Sequence, residues 1–222
     1  MSAYSGVQDC FNRPLADVAR SLGYSEANIV ILEGDEIKFR TAFPDVYNNL
    51  LSCRHHADAR TPFQYGQDLV ASWLFEDTFL AALKKAPSFH VELDGADKRR
   101  EILPSVRTSA ASDYCVSTHD GNTRKLELMC DYTGFWARTG KLHLRDDKYK
   151  KMQASGSLFV AVSVTSKEFA IYDFLSNVSA TYIPSHRLYG GKPAYELSIN
   201  TEQMVPYTSE KLINEIAKAL GA

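Results

Sequence analysis

The stretch Asp113-Tyr114-Cys115-Val116-Ser117-Thr118-His119-Asp120-Gly121-Asn122-Thr123-Arg124-Lys125-Leu126-Glu127-Leu128-Met129-Cys130-Asp131-Tyr132 carries the reading of this chain. Two β-prone runs flank a His-Asp-Gly-Asn turn, which predicts a hairpin. Side chains alternate between the two faces of a strand. Along the second run, Leu126, Leu128, Cys130 and Tyr132 share one face, and Lys125, Glu127, Met129 and Asp131 the other, so two carboxylates stand together. The turn decides what lies opposite them. A two-residue loop, Asp120-Gly121, pairs Asp113 with Leu128 and points it away from Glu127. A three-residue loop, His119-Asp120-Gly121, with Gly121 left-handed in a bulge, pairs Asp113 with Glu127 on one face. Asp-Gly suits both turns, and the sequence leaves both registers open. In the second register, Asp113 and Glu127 present hard oxygen ligands of the kind Mg²⁺ prefers.

Upstream, residues 67–85 predict a strong helix, with Leu69, Trp73, Leu80 and Leu83 recurring at three- and four-residue steps. Glu76 falls inside that stripe, where a carboxylate is costly unless paired or bound to a metal. It is either an edge residue bonded to a neighbouring Lys or amide, or a ligand. Downstream, a helix is expected from Leu142 or His143 to Gln153. There Leu144, Lys148 and Met152 stand at i, i+4 and i+8, which turns Lys148 inward. Lys151 is the next candidate by angle, and Lys150 faces solvent. Residues 158–164 read as a buried strand, 168–174 as its partner, 182–199 as a hairpin around Tyr189-Gly190-Gly191-Lys192, and 209–220 as a closing helix.

At the other end, residues 14–22 read as a short amphipathic helix. Ile29-Val30-Ile31-Leu32 and Ile37-Lys38-Phe39-Arg40 flank Glu33-Gly34-Asp35 and read as a hairpin. The expected organisation is an N-terminal subdomain of unknown role over residues 1–60, followed by an α/β core over 61–222 that ends in a hairpin and a helix.

A chain of 222 residues with 45% apolar content can bury a substantial core. No stretch reaches the roughly 18 apolar residues of a membrane span. Met1-Ser2-Ala3-Tyr4-Ser5-Gly6 lacks the basic and apolar regions of a secretory signal, so a cytoplasmic protein without membrane contact is expected. The four cysteines, Cys10, Cys53, Cys115 and Cys130, form no C-x-x-C pair and are expected to be reduced thiols. Net charge is −2, which excludes a global basic signature. Locally, however, Arg138, Lys141, Arg145, Lys148, Lys150 and Lys151 crowd one stretch, with smaller clusters at Lys98-Arg99-Arg100 and Arg124-Lys125. There is no G-x-S-x-G nucleophile elbow and no G-x-x-x-x-G-K phosphate loop.

In its order of elements the chain resembles the PD-(D/E)XK nuclease superfamily, which includes many restriction endonucleases. The resemblance spans residues 63–174: a helix bearing an inward Glu76, a strand opening on Ser112-Asp113, a turn, a strand with Leu126-Glu127-Leu128-Met129, a helix and two further strands. It implies an α/β fold with a restriction-endonuclease-like central mixed sheet flanked by helices, here with a small N-terminal α/β extension. In that family the Asp and Glu ligate Mg²⁺, and a Lys two residues after the Glu activates the attacking water. This chain has Met129 at the lysine position and Ser112 where Pro is usual. Some members draw the cation from the following helix, which points to Lys148.

The resemblance thus implies Mg²⁺-dependent hydrolysis of DNA, with Mn²⁺ as a substitute and RNA as a further possible substrate. Asp113, Glu127 and Lys148 are the expected catalytic residues. Asp113, Glu127 and Glu76 are the expected metal ligands, and Asp131 an extra ligand or a salt-bridge partner. Arg138, Lys141 and Arg145 are the expected phosphate contacts. By analogy such an enzyme acts as a homodimer. The rival expectation is an inactive nucleic-acid-binding or structural protein on the same fold, with Met129 marking the lost chemistry.

Overall fold

A computed structural model describes residues 2–53, 59–94, 99–104, 112–176, 178–199 and 203–221. The protein is α/β, with a six-stranded mixed sheet, a three-stranded sheet and helices beside them. It divides into two compact units, one of residues 1–79 with 96–109, the other of 80–95 with 110–222.

Among its described residues the first unit is helical: α1 (Ala3–Gln8), α2 (Leu15–Ser21), α3 (Glu26–Glu33), α4 (Glu36–Ala42), α5 (Pro44–Cys53) and most of α6 (Pro62–Leu83). The expected hairpin at residues 29–40, and with it the α/β character of the extension, is therefore corrected to a pair of helices. The reason is capping chemistry. Ser25 accepts a hydrogen bond from Asn28 N to open α3, Gly34 closes it at φ +86°, and Asp35 accepts one from Lys38 N to open α4. Glu33-Gly34-Asp35 is thus a stop and a start. Residues Ala27 to Leu32 are all buried, so α3 shows no amphipathic period.

The second unit is built on β1 (Phe89–Leu93), β2 (Tyr114–Thr118), β3 (Thr123–Asp131), α7 (Phe135–Thr139), β4 (Lys141–Arg145), α8 (Asp146–Ser155), β5 (Leu158–Ser163), β6 (Glu168–Asp173), β7 (Thr181–Ile183), β8 (Ala194–Ser198), β9 (Val205–Pro206) and α9 (Ser209–Leu220). The large sheet runs β1-β2-β3-β5-β6-β9, with β3 and β5 parallel and the other pairs antiparallel. The small sheet runs β4-β8-β7. A second correction falls at residues 141–145. The expected helix begins only at Asp146, because Lys141-Leu142-His143-Leu144-Arg145 alternates exposed and buried positions and pairs with β8 as a strand.

One face of β3 and β5 packs against β4, α7 and α8 through Trp136, Leu142, Leu144, Tyr149, Met152, Phe159 and Ala161. This cluster faces the same side of β3 as Glu127, since Phe159 pairs with Glu127 in the parallel register. Among the described residues no helix is long and apolar enough to cross a membrane.

Candidate active site

The β2-β3 turn settles the register. Ser117 pairs with Thr123 and Tyr114 with Leu126, leaving His119-Asp120-Gly121 as a three-residue loop with Gly121 at φ +89°. One step further, that register brings Asp113 opposite Glu127. Asp113 lies just outside β2, and its Oδ2 accepts a hydrogen bond from Leu128 N at 2.7 Å. Its backbone carbonyl accepts from Asp94 N. The carboxylate is thereby fixed against the strand that carries Glu127.

Glu127 is only 4% exposed, and Lys148 Nζ approaches its Oε2 at 2.6 Å. Beyond this ion pair Oε2 accepts no hydrogen bond from a described residue. The Lys148 side chain is 31% exposed, so the pair meets solvent from the lysine side. Burial pushes the Glu127 carboxyl up to about 6, with Lys148 opposing that rise and Asp113 adding to it. For Lys148, burial works against the charge, but Asp113 and Glu127 outweigh it and hold its pKa above the ordinary lysine value. Asp113, Glu127 and Lys148 therefore form one interacting group. Lys148 sits in the first turn of α8, where a cation works against the helix dipole. Its two carboxylate neighbours supply the compensating attraction.

Met129 packs at the edge of the apolar cluster containing Trp136 and Phe159. A lysine there would bring its stem against apolar side chains, and the cation comes instead from α8. Sequence periodicity turned Lys148 inward on a helix assumed to include Leu144; the helix starts later, but Lys148 still faces β3 while Met152 joins the core.

Other expected residues have partners of their own. Glu76 belongs to the first unit, where its Oε2 meets Arg100 Nη1 at 2.6 Å. Asp131 has both oxygens engaged in a turn. It is 6% exposed, its Oδ1 accepts from Thr133 N and Oγ1, and its Oδ2 accepts from Trp136 N, which fastens the β3-α7 turn. Among the described residues no group of three or more His, Cys, Asp or Glu gathers around a possible metal position.

The basic stretch is largely engaged within the protein. Arg138 donates to the Thr133 carbonyl, Lys141 pairs with Glu196 at 3.0 Å, and Lys150 pairs with Asp146 at 2.9 Å. Arg145 lies 3.5 Å from the exposed Asp147. Arg124 binds Asp173 and the carbonyls of Gly156 and Ala219, and Lys125 binds Asp94. Of the remaining basic cluster, Arg100 is held by Glu76 and Asp77, and Lys98 lies outside the described residues.

Around β4 and β8 the structure adds groups that no motif announced. His143 Nε2 lies 3.0 Å from Glu196 Oε2, its ring is 4.3 Å from that of His186, and Tyr189 donates to the His143 carbonyl at 2.8 Å. Arg145 and Lys148 both act on the Tyr189 phenol, opposing the rise that burial causes. His143 lies more than 40 positions in sequence from Glu196, His186 and Tyr189, and the pairing of β4 with β8 sets it opposite Glu196.

No family model matches this chain, and no curated protein matches it.

Proposed function

We propose that this protein hydrolyses phosphodiester bonds of nucleic acid, DNA first and RNA second, with Mg²⁺ or Mn²⁺ held by Asp113 and Glu127. The observation that carries the reading is the buried Glu127, joined by Lys148 at 2.6 Å and flanked by Asp113. A buried carboxylate with a raised pKa beside a second, half-buried carboxylate is a functional-site signature, because close like charges favour a bound cation. Mg²⁺ fits this donor set. It takes hard oxygens, commonly from one or two carboxylates, and keeps several waters. Bound there, the ion would polarise the phosphoryl oxygen and acidify a water.

The chain's own residues do the rest. Asp113, tied to Leu128 N, keeps one carboxylate in a fixed orientation. Lys148 stays protonated at neutral pH, since its pKa is held high, and so it orients the attacking water and offsets charge developing on the phosphorane. The apolar cluster behind Met129 and Phe159 keeps that side of the pair dry. By analogy the protein would act in the cytoplasm as a homodimer.

The second reading is a binding protein without catalysis, in which Lys148 and Glu127 form a structural ion pair. The apolar Met129 at the motif position favours it. Incubation of the protein, Glu127→Ala and Lys148→Ala with supercoiled and linear DNA, with and without Mg²⁺ or Mn²⁺, separates the two. Metal-dependent cuts lost in both variants support hydrolysis. Absence of cutting by the parent chain with either metal supports the binding protein.

A further inference from the structure

Residues 184–192, between β7 and β8, form a loop closed on itself. His186 N donates to the Lys192 carbonyl at 2.9 Å, and the His186 carbonyl accepts from Gly191 N at 3.0 Å. Ser185, Arg187 and Lys192 are exposed, whereas His186 is only 8% exposed. Its ring lies 4.3 Å from that of His143 on β4 and 5.0 Å from that of Tyr189 in the same loop, and Tyr189 donates to the His143 carbonyl. His186 and Tyr189 thus hold an exposed loop against β4. The two imidazoles are not equivalent. His143 Nε2 faces Glu196 Oε2 at 3.0 Å, and the same carboxylate holds Lys141 at 3.0 Å. His186 Nδ1 is buried and has no hydrogen-bond partner among the described residues. A proton on His143 meets a carboxylate, but an imidazolium at His186 places an N–H donor on that buried Nδ1 with nothing to accept it.

We propose that His186 is an acid-released pin: on gaining a proton it leaves its place beside His143, and the loop comes off β4 together with Tyr189. The groups that face the pin favour release. From β4 come Lys141 and His143, and from β8 comes Glu196, the one nearby counter-charge, which those two already engage. Helix α7 contributes the uncharged Phe135 ring, 5.8 Å from that of His143. Arg145 and Lys148 act on Tyr189 at the other end of the loop. Burial, and after it His143, holds the His186 imidazole below its ordinary value of 6.5, with Glu196 opposing. A native value below the unfolded one means that the closed loop is favoured above about pH 6.5 and loses that advantage as pH falls below it. Release also takes Tyr189 away from Lys148 and widens the solvent-facing side of the Glu127–Lys148 pair. What that does to hydrolysis rests on the phosphodiester reading; the release itself does not.

The test is NMR of the isotope-labelled full chain between about pH 7.5 and 5.0, without metal or DNA. It follows the His186 ring and the amides of Gly190 and Gly191, with Val160 and Val162 of β5 as a reference for the core. The glycine peaks should move or broaden in step with the His186 titration while the β5 peaks stay in place. His186→Phe keeps a ring but takes no proton, so its glycine peaks should stay fixed over the whole range. His186→Gln, polar and equally unable to titrate, is the second variant should Phe pack poorly. Glycine peaks that move equally in these variants would assign the change to His143 or Glu196 and overturn the pin. So would a His186 that titrates with the loop unmoved, a ring that stays neutral beside a fixed loop down to pH 5.0, or core peaks that shift along with the loop. Hydrolysis is read separately at about pH 8, where the loop is closed, with Mg²⁺ and Glu127→Gln. Loss of the hydrolytic reading there leaves the pin intact, and failure of the pin leaves the Glu127 result standing.

Discussion

Lys148 Nζ on α8 lies 2.6 Å from Oε2 of the buried Glu127 on β3. The contact joins residues 21 positions apart across two elements of the core, and it makes the ionisation of each depend on the other.

Glu127 is raised from an ordinary carboxyl value of 4.5 to about 6. A folded-state pKa above the unfolded one means that the native protein binds the extra proton between these values. Stability therefore falls as pH rises from about 4.5 through about 6, then stays level with respect to this group, for a cost of roughly 2 kcal/mol above that window. Glu127→Gln should remove this component. Urea unfolding at a series of pH values, compared between parent and variant, reads it: the difference in stability should change across pH 4.5 to 6 and be flat above 7.

Exchanging the cation between helix and strand tests its role. Lys148→Met should abolish metal-dependent cutting and raise the Glu127 pKa further, since Lys148 opposes the rise that burial causes. Met129→Lys alone should cost about 1–3 kcal/mol, because its stem must lie against Trp136 and Phe159. If the cation at this spot is what the reaction needs, the double variant Met129→Lys/Lys148→Met should cut DNA at least tenfold faster than Lys148→Met. A double variant as inactive as the single one would tie the reaction to Lys148 itself.

Asp131→Ala should lower stability by about 1–2 kcal/mol through loss of the bonds to Thr133 and to Trp136 N. Its affinity for Mg²⁺, measured by calorimetry, should match that of the parent. A tenfold loss of metal affinity in a folded Asp131→Asn variant would restore it as a ligand.

Gly121 at φ +89° has open space around the position of a Cβ, so Gly121→Ala meets no clash and suffers only from its backbone conformation. The expected cost is about 1–2 kcal/mol. Gly121→Asn, which tolerates the left-handed region, should recover part of it. Thermal unfolding of the two variants side by side checks this.

The alternation of β3, the hairpin of β2 with β3 and the closing helix α9 were legible because each is a local signal, a period of two, a turn or a period of 3.6. Helix α3 was misread for a reason of the same kind: a short run of apolar residues buried on every side has no period to read. At residues 141–145, Leu142 and Leu144 carried the strand period, while Leu144, Lys148 and Met152 carried an overlapping helical one. Pairing with β8 decided between them.

By itself the sequence determined which side chains share a face, Glu127 with Met129, and that a Gly turn joins the two strands. It also marked Lys148 as an inward cation. Tertiary structure alone decided the register that brings Asp113 opposite Glu127, the engagement of Glu76 by Arg100, and the use of Asp131 as a turn fastener. Periodicity is a property of neighbouring residues and survives in any fold that keeps the element. Ion pairs and hydrogen bonds form between groups whose distance is set by the path of the whole chain, and a carboxylate takes as partner whichever donor that path delivers.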